Sequence, residues 1–477
     1  MALHFIANTP VRSTSGQTLP VIDPATGKTY NTLERGNAAD IDAAVSAARH
    51  CFDTRWSRLT AAERGRLLMK LSAKVAEHAN ELAALEQRDC GKPVKQARAD
   101  ALALVRYFEF YAGAGDKLHG DTIPYLDGYS VLTWREPHGV SGHVIPWNYP
   151  MQIFGRSVGG ALAAGNVCVV KPSEDACLSI LRVAELAAEV GFPAGAINIV
   201  TGYGHEVGDA LARHPRIDHI SFTGSPRVGT LIQQVAAERH CPVTLELGGK
   251  GPQIVFDDAD IDAALPFIVN AIVQNSGQTC SAGSRLLVQR GVYEAVLQRV
   301  GEAFTALRAG PPAMDLDLGP LIRQSQLERV RGFLHEARAD GIAAVAQGRV
   351  VDEANDGFFY AAPTLLRDVP ADHRLAQEEV FGPVLAAMPF DDEDHAVQLA
   401  NATAFGLVAG VWTRDGARQF RMARRIKAGQ VFINNYGAGG GVELPFGGVK
   451  SSGCGREKGF EALLGFTTLK TVTFRHS

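Results

Sequence analysis

Four short segments of this chain of 477 residues carry residue types that could do chemistry. They are PWNYP (146–150), ELGGK (246–250), GQTCSAGSR (277–285) and EEVFGPV (378–384). The third holds Cys280, whose glycine and threonine neighbours are typical of a loop. A thiolate adds readily to a carbonyl carbon, and the thioester that can result is cleaved by water. We therefore predict a nucleophilic role for Cys280 and interpret the other six of the seven cysteines as small core or surface residues.

These segments, taken together and in this order, resemble the aldehyde dehydrogenase superfamily. The resemblance runs from KPSE (171–174) to PFGGVKSSGCGREKG (445–459), and loosely matching N-terminal helices extend it to nearly the whole chain. It implies an NAD-dependent enzyme that oxidises an aldehyde to a carboxylic acid. An aldehyde carbon is too poor in electrons to lose hydride directly. Addition of a thiolate first gives a tetrahedral alkoxide, from which hydride can pass to nicotinamide.

The resemblance implies catalytic roles for three residues of these motifs. Cys280 is the expected nucleophile, and Asn148 is the expected oxyanion donor, its side-chain amide acting with the backbone N–H of Cys280. One such donor is typically worth roughly 3–4 kcal/mol in the transition state. Glu246 is the expected general base for thioester hydrolysis. Because members that pass the acyl group to coenzyme A generally lack this glutamate, we predict the hydrolytic, non-acylating branch.

Other interpretations of the catalytic residues stay open on the sequence alone. Asn148 could form a turn, and Glu246 could be a strand-end carboxylate that faces solvent. Glu457 in GREKG resembles a further family carboxylate, proposed to relay protons, and we include it among the predicted catalytic residues. It could equally form a solvated ion pair with Arg456 or Lys458.

Cofactor binding is predicted at the ends of parallel strands. Lys171 and Glu174 follow the apolar run NVCVV (166–170) and match positions that hold the adenosine ribose in relatives. A carboxylate there accepts hydrogen bonds from the ribose hydroxyls and repels a 2′-phosphate. NAD is therefore favoured over NADP, although Lys171 could still meet a phosphate. Glu379 and Phe381 resemble the pair that holds the nicotinamide ribose and ring.

Two glycine-rich turns, at 202–208 and 224–229, follow apolar runs and could bring backbone amides to the cofactor phosphates. A tight turn without a ligand explains each of them better when taken alone, but two in one sheet favour a dinucleotide. With these turns included, the predicted cofactor contacts are Ile145, Pro146, Trp147, Lys171, Ser173, Glu174, Gly204, Gly208, Phe222, Gly224, Ser225, Val228, Leu247, Gly248, Glu379 and Phe381.

The segment after Asn148 is predicted to be a helix that lines the substrate tunnel. Spacings of four residues place Asn148, Gln152 and Arg156 on one helical face. Many relatives carry an aromatic residue at the position of Arg156 and a lysine at that of Ser157, so a proton relay borrowed from them is in doubt. The predicted substrate contacts are Tyr149, Gln152, Arg156, Thr279 and Ser281.

Arg156 favours an aldehyde that carries a carboxylate or another strong acceptor, such as a semialdehyde. Succinic semialdehyde dehydrogenases also place an arginine here, but Gln274 stands where they usually have a second one. A guanidinium in an apolar tunnel is costly to leave unpaired, and a carboxylate would satisfy it. Arg156 could instead pair with an acidic residue of the protein or lie at a subunit contact. The glycine-rich segment 434–448 should line the tunnel mouth and admit a bulky substrate, so broad-range aromatic or aliphatic aldehydes are an alternative.

The elements that position these residues are predicted to form an α/β fold. From about residue 140, apolar runs alternate with amphipathic helices, which is typical of parallel sheets covered on both faces. We predict a Rossmann-like NAD-binding domain of residues 1–118 and 138–248, and a catalytic domain of residues 249–448. Residues 119–137 and 460–477 are predicted as a small β flap of oligomerisation strands. The N-terminal third is predicted to be helical, with a capping box at Thr60.

Composition limits the classes of partner. The formal net charge of −4 and the pI of about 6.4 give no basic field for nucleic acid or an anionic membrane. No stretch approaches the roughly 18–20 uninterrupted apolar residues of a membrane span, and no secretory signal is recognisable. The scattered cysteines predict neither disulfides nor a metal site and suit the cytoplasm. We expect a small-molecule aldehyde and a homodimer or homotetramer; a catalytically retired binding or structural protein is the alternative of another class.

Overall fold

Two parallel sheets, each flanked by helices, organise the chain. In the computed structural model, which describes residues 1–354, 358–437 and 441–476, the parallel strands of one sheet end at Glu246 and those of the other begin at Pro252. This architecture confirms the predicted α/β fold class. No helix within the described residues combines the length and the apolar character that crossing a membrane requires.

The order of the strands in the first sheet creates a crevice. Five strands are parallel, in the spatial order Ile197–Ile199, Val167–Pro172, Val140–Ile145, His219–Thr223 and Val243–Glu246. The chain first moves outwards to one side of Val140–Ile145 and then crosses to its other side. Open α/β sheets bind ligands at the carboxyl ends of the strands, where the order reverses in this way. PWNYP follows directly on Val140–Ile145, so the topology places Asn148 at this crevice.

Short antiparallel strands extend this sheet at both edges, His4–Ile6 and Thr9–Val11 at one and Gly453–Cys454 at the other. The capping box at Thr60 is present, because its hydroxyl accepts a hydrogen bond from Glu63 N and the Glu63 carboxylate accepts one from Thr60 N. The helices of this unit are Ala38–Thr54, Ala61–Glu77, Ala79–Cys90, Val94–Ala114, Pro150–Ala164, Leu178–Glu189, Asp209–Arg213 and Pro226–Ala237.

The prediction that the whole N-terminal third is helical is wrong for the residues before Ala38. They form the two edge strands and the hairpin of Thr18–Asp23 with Lys28–Glu34. The strand His4–Ile6 pairs with a strand almost two hundred residues away, at Ile199. Such a short strand is fixed by a distant partner, and its own sequence has no room for a periodic signal.

The second sheet contains the strands Ala344–Gln347, Thr364–Leu366, Val384–Phe390, Arg285–Gln289, Pro252–Val255, Val408–Trp412 and Gln430–Ile433 in spatial order, of which the first is antiparallel. Its helices are Ile261–Val273, Tyr293–Ala306, Gln324–Ala339, Arg374–Gln377, Glu393–Asn401 and Gly416–Arg425. The two sheets have separate hydrophobic cores. On this basis we propose the division into two α/β domains that the sequence predicts.

A third, small sheet lies outside both units. Tyr129–Pro137 pairs antiparallel with Thr467–Arg475 along its whole length and with Thr122–Ile123 at its other edge. The alternation of apolar and polar residues in 129–137 predicted the first long strand, and the second lies in the predicted segment 460–477.

Candidate active site

Two cavities meet at Cys280. The first, which we call the strand-end cavity, has a volume of about 380 Å³ and lies at the carboxyl ends of the first sheet. The second, the helix-side cavity, has a volume of about 430 Å³ and is lined by one face each of the helices Val94–Ala114 and Pro150–Ala164. Cys280 and Asn148 line both cavities. A molecule in either cavity would therefore reach the same thiol.

The loop that carries Cys280 has a strained backbone. Residues 275–277 have φ values of 48°, 56° and 76°, a left-handed conformation that side chains other than glycine rarely adopt. The Asn275 side chain holds this conformation by donating to the carbonyl oxygens of Asn148 and Gln278, at 3.0 and 3.3 Å. Strain of this kind persists only where the surroundings enforce it, and it is typical of functional sites.

The two glycines of ELGGK allow the Cys280 loop to approach the end of the first sheet. A Cβ atom on Gly249 would overlap the carbonyl oxygen of Cys280, and one on Gly248 would overlap the Glu379 carboxylate. Burial raises the pKa of the Cys280 thiol to about 12, and the nearby Arg156 opposes this shift. The thiol therefore has to lose its proton as it attacks, because only the thiolate is an effective nucleophile.

The Asn148 side chain is buried and oriented by the cysteine loop. Its Nδ2 donates to the carbonyl oxygen of Gln278 at 3.1 Å. An amide nitrogen carries two hydrogens, so this bond fixes the amide plane and leaves a second N–H for the cavities. The arrangement supports the predicted oxyanion donor, and it gives the side chain a long-range contact that a simple turn would not need.

Glu246 is a buried carboxyl group, not the solvent-facing strand end that the sequence left open. Its residue is 1% exposed, and neither side-chain oxygen has a hydrogen-bond partner among the described residues. One oxygen lies against the backbone of Gly447, 2.7 Å from where a Cβ atom would stand. Burial raises its pKa well above the usual range, against the opposing charge of Arg156. A carboxylate with a raised pKa is a stronger base once it is ionised.

Glu457 is also buried, so the interpretation of this residue as part of a solvated ion pair with Arg456 or Lys458 is wrong. Its carboxylate pairs with Arg156 Nε and accepts a hydrogen bond from Ser221 Oγ at 2.6 Å. Arg156 also donates to Thr223 Oγ1 at 3.1 Å. The sequence left three partners open for Arg156: the substrate, an acidic residue of the protein, or another subunit. In the structure, its partner is an acidic residue of the protein, Glu457.

The strand-end cavity brings together half of the predicted cofactor contacts. Its lining includes Pro146, Trp147, Gly224, Ser225, Leu247, Gly248, Glu379 and Phe381. The others lie outside that lining, on the strands of the first sheet and on the turns and helix starts that follow them: Ile145, Lys171, Ser173, Glu174, Gly204, Gly208, Phe222 and Val228. Sequence reasoning missed the lining residues Thr223, Gln326, Arg329 and Phe405, which belong to none of the motifs.

Three features of the strand-end cavity suit a dinucleotide. The helix Pro226–Ala237 begins at its wall, and a helix N-terminus favours phosphate. Phe381 has a φ of 60° and meets Trp147 edge-to-face, with ring centroids 5.4 Å apart. Glu379 accepts a hydrogen bond from Gly249 N at 3.0 Å through one oxygen, which leaves the other for a sugar hydroxyl.

Comparisons with known proteins identify the family of this chain. A model of the aldehyde dehydrogenase family matches residues 11–472. An aldehyde dehydrogenase from Emericella nidulans is 41% identical over 473 residues, which cover 99% of this chain and 94% of the relative. The chain belongs to the aldehyde dehydrogenase family.

Solved structures of the family share the whole fold. A Burkholderia cenocepacia protein assigned as an aldehyde dehydrogenase is 69% identical, with a TM-score of 0.99 and full coverage of both chains. The NAD⁺ complex of an aldehyde dehydrogenase from Bacillus cereus is 38% identical, with a TM-score of 0.97, and the match covers 100% of this chain and 97% of that one. The predictions of the family and of an oxidoreductase are confirmed.

The helix-side cavity of this aldehyde dehydrogenase family member contains all five predicted substrate contacts, Tyr149, Gln152, Arg156, Thr279 and Ser281. Gly437 also lines it, whereas residues 438–440 of the glycine-rich segment predicted at the tunnel mouth lie outside the described residues. Sequence reasoning predicted the segment that carries the lining residue Phe446, but it missed the lining residues Gln96, Asp100, Tyr107 and Lys458. Three of them lie on the helix Val94–Ala114, which carries no recognisable motif. Which side of this helix faces the cavity depends on packing alone.

A buried charge cluster supports the wall of this cavity. The Lys92 ammonium is fully buried between the carboxylates of Glu86 and Asp100. Its Nζ lies 2.6 Å from Glu86 Oε1 and also pairs with Asp100. Asp100 also accepts a hydrogen bond from Gln152 Nε2 at 2.6 Å. Burial raises the pKa of Glu86, against the opposing charge of Lys92.

The pairing of Arg156 with Glu457 predicts a structural role for this arginine. Arg156→Met leaves a buried, unpaired carboxylate, which typically costs about 3–5 kcal/mol. We expect a lower free energy of unfolding in urea, and similar losses in kcat/KM for charged and uncharged aldehydes. The double variant Arg156→Met, Glu457→Met should recover most of the lost stability, because no buried charge remains. An Arg156→Met protein of normal stability that loses activity only on carboxylated aldehydes would contradict this and return Arg156 to the substrate.

Proposed function

We propose that this protein oxidises an aldehyde to the free carboxylic acid with NAD, through a thioester on Cys280. The observation that carries the proposal is the position of Cys280 and Asn148 on the shared wall of the two cavities. An aldehyde in the helix-side cavity and a nicotinamide in the strand-end cavity would meet at the thiol. The helix N-terminus, Glu379 and Phe381 fit such a cofactor, and the Bacillus cereus relative has been solved as an NAD⁺ complex.

The residues of the site divide the first half of the reaction between them. The Cys280 sulfur bonds to the aldehyde carbon as its proton passes to water in the cavities, while the carbonyl oxygen becomes an alkoxide. The free N–H of the Asn148 side chain donates to that oxygen as its charge develops. Glu379 and Phe381 would hold the nicotinamide end of bound NAD, which would supply the acceptor for the hydride that leaves the tetrahedral carbon. A thioester then remains on Cys280.

Glu246 supplies the base for the second half. It takes a proton from water as the water oxygen attacks the thioester carbon. The carbon–sulfur bond then breaks, and the departing Cys280 thiolate takes the proton that Glu246 holds. Neither oxygen of this carboxylate has a hydrogen-bond partner among the described residues, so no such bond has to break when it turns toward the thioester. This supports hydrolysis over transfer to another acceptor.

A panel of aldehydes with NAD, followed by NADH absorbance and analysis of the acid product, tests this function. Formation of NADH with release of free acid is expected. Binding of NAD without turnover of any aldehyde in the panel would favour a catalytically retired member of the family.

We propose an acidic or otherwise polar aldehyde, a semialdehyde among them, as the substrate class. Polar lining supports it, since Gln96, Gln152 and Gln274 reach the helix-side cavity. Broad-range oxidation of aromatic or aliphatic aldehydes is the second candidate, favoured by the aromatic lining of Tyr107, Tyr149 and Phe446.

We expect NAD to be preferred to NADP, and Glu174→Ser to narrow the difference. Lys171 Nζ donates to the Glu174 carboxylate at 2.8 Å. The glutamate would therefore repel a 2′-phosphate, and its ion pair with Lys171 keeps that ammonium from binding the phosphate. Serine would remove the repulsion and release Lys171. The measurement is kcat/KM for both cofactors in wild type, Glu174→Ser and the control Asp175→Ser, whose carboxylate pairs with Arg323. Equal wild-type efficiency with the two cofactors would contradict the prediction.

We also propose a homo-oligomer, a dimer or tetramer, in the cytoplasm. One face of the small sheet presents Trp134 and Phe474 to solvent, 46% and 47% exposed, beside Leu132 and Val472. An exposed apolar face on a strand pair is typical of a protein contact. All seven cysteines are free thiols, which fits a reducing compartment.

A further inference from the structure

The buried charge cluster of Glu86, Lys92 and Asp100 takes no direct part in the reaction proposed above. The Lys92 ammonium pairs with both carboxylates. Burial disfavours the charge of this lysine, but Asp100 and Glu86 outweigh that effect and raise the pKa of Lys92 above its usual range. The lysine therefore stays charged. Buried ions often add little net stability to a protein core, so stability alone does not account for this cluster.

Two helices and the short connection between them form the cluster. Glu86 lies on the helix before the connection, and Asp100 lies on the helix after it. Lys92 lies in the connection, directly after Gly91, whose φ of 73° and close approach to a proline ring require glycine. Rigid elements on both sides therefore fix the position of the Lys92 ammonium.

Glu86 caps the helix that follows Asn148. Tyr149, the residue before the helix Pro150–Ala164, makes no capping hydrogen bond with its side chain. The Glu86 carboxylate accepts a hydrogen bond from Met151 N instead, at 3.2 Å. A carboxylate is stabilising at a helix N-terminus, where the backbone N–H groups have no partners within the helix. A residue 65 positions earlier in the chain therefore fixes the first turn of this helix.

Lys92 and Asp100 hold two side chains of the same segment. Lys92 Nζ lies 4.2 Å from the centroid of the Tyr149 ring, close enough for a cation–π interaction. Asp100 accepts a hydrogen bond from Gln152 Nε2 at 2.6 Å. Tyr149 is the first residue after Asn148, and Gln152 is the fourth. All three members of the cluster thus contact the segment that directly follows Asn148.

The cysteine loop provides the other contacts of Asn148. The Asn148 side chain donates to the carbonyl oxygen of Gln278, and its own carbonyl oxygen accepts from Asn275 Nδ2 at 3.0 Å. An oxyanion donor has to be held within about 0.5 Å of its productive position. The loop holds Asn148 itself, whereas the charge cluster holds the residues after it, so the two supports are complementary.

We propose that Lys92 is a positioning residue for the proposed reaction. It holds the carboxylates of Glu86 and Asp100 in place, and they keep the segment 146–152 in the conformation that directs the Asn148 amide at the developing oxyanion. The proposal rests on the aldehyde oxidation proposed above. Lys92 is absent from the described lining of both cavities, so it acts only through the residues that it holds.

The rate of the first NADH turnover, measured in stopped flow at saturating aldehyde and NAD, tests this role. Asn148→Ala should lower that rate by about 100- to 1,000-fold, the usual effect of losing one oxyanion donor. Lys92→Met should lower it by about 10- to 100-fold, since a displacement of about 1 Å at a reacting group has an effect of this size. The double variant should stay within about 3-fold of Asn148→Ala, because a positioning residue has no effect once the group it positions is absent.

A cluster that only stabilises the fold would give a different result. The two losses would then multiply in the double variant, and this outcome would overturn the proposal. A rate within about 2-fold of wild type in Lys92→Met would overturn it as well. Lys70→Met removes an exposed lysine on the helix Ala61–Glu77 and should change the rate by less than about 2-fold.

A second variant tests the proposal if Lys92→Met does not fold, because that substitution leaves two buried carboxylates without their cation. Lys92→Met, Asp100→Asn removes one of these charges, and the asparagine oxygen can still accept from Gln152 Nε2. The same rate loss is expected, with the same absence of a further effect when Asn148→Ala is added. Wild-type rates in this folded variant would contradict the role of Lys92.

Hydrogen exchange without any substrate separates this proposal from the proposed activity. Amides of the segment 146–152 should exchange at least about 10-fold faster in the variants that lack Lys92, whereas those of the strand Val408–Trp412 in the second sheet should not change. Unchanged exchange in 146–152 would overturn the role of Lys92 whatever the activity. Faster exchange there, in a protein whose wild type oxidises no aldehyde, would instead refute the oxidation and retain the support of this segment by Lys92.

Discussion

Cys280→Ala should lower kcat for aldehyde oxidation by more than about 1,000-fold while NAD binding persists. The thiol is the reacting atom, so removing it removes the covalent step, whereas the predicted cofactor contacts come from other elements. Cys280→Ser should also fail, because a hydroxyl at neutral pH is a far weaker nucleophile than a thiol that can ionise. Steady-state NADH formation and NAD affinity by fluorescence titration are the two measurements.

Cys454→Ala provides the matched control for Cys280. Cys454 is an exposed thiol on the strand beside Glu246 and lines neither cavity. Its removal should leave kcat within about 2-fold of wild type, as is usual for surface substitutions. Retention of a tenth of wild-type turnover by Cys280→Ala would refute the thioester mechanism.

Glu246→Gln should acylate once and then stop. If the base is needed only to activate water, one equivalent of NADH per active site should form rapidly in stopped flow. Steady-state turnover should then fall by about 100- to 10,000-fold, the usual effect of removing a general base. The glutamine amide has nearly the same shape as the glutamate carboxyl group. The substitution also breaks no hydrogen bond of Glu246 among the described residues, so the protein should fold normally.

The burst is the decisive observation for Glu246. Trapped acyl-enzyme, detected by mass spectrometry as a mass increase on the peptide that contains Cys280, should accompany it. Glu294→Gln offers a control for loss of a surface carboxylate that lines neither cavity, where Glu294 pairs with Arg367. Normal turnover in Glu246→Gln, or the absence of a burst in a folded protein, would remove this residue from hydrolysis.

Sequence reasoning identified the segments that form the proposed reactive centre because the chemistry depends on local segments. The turn at Asn148 and the cysteine loop each carry their own proline, glycine or threonine signals, and apolar runs mark the strands that precede the cofactor contacts. The parallel strands of both sheets follow from continuous apolar runs, since such strands are buried on both faces. The short edge strands before Ala38 carry no such signal, and they were predicted wrongly.

Tertiary structure alone decided which charges pair. The sequence placed Arg156 in the tunnel and left the group that would satisfy it open, and Glu457 was as easily a surface residue. Packing of the C-terminal segment against the helix Pro150–Ala164 buries both and pairs them, and it places Lys458 on the cavity wall. The partner of a buried charge depends on which distant segments enclose it, because desolvation makes an unmatched charge costly wherever the chain places it. The sequence by itself therefore predicted the class of reaction, and only the tertiary structure decided which charged side chains pair with one another around the proposed site.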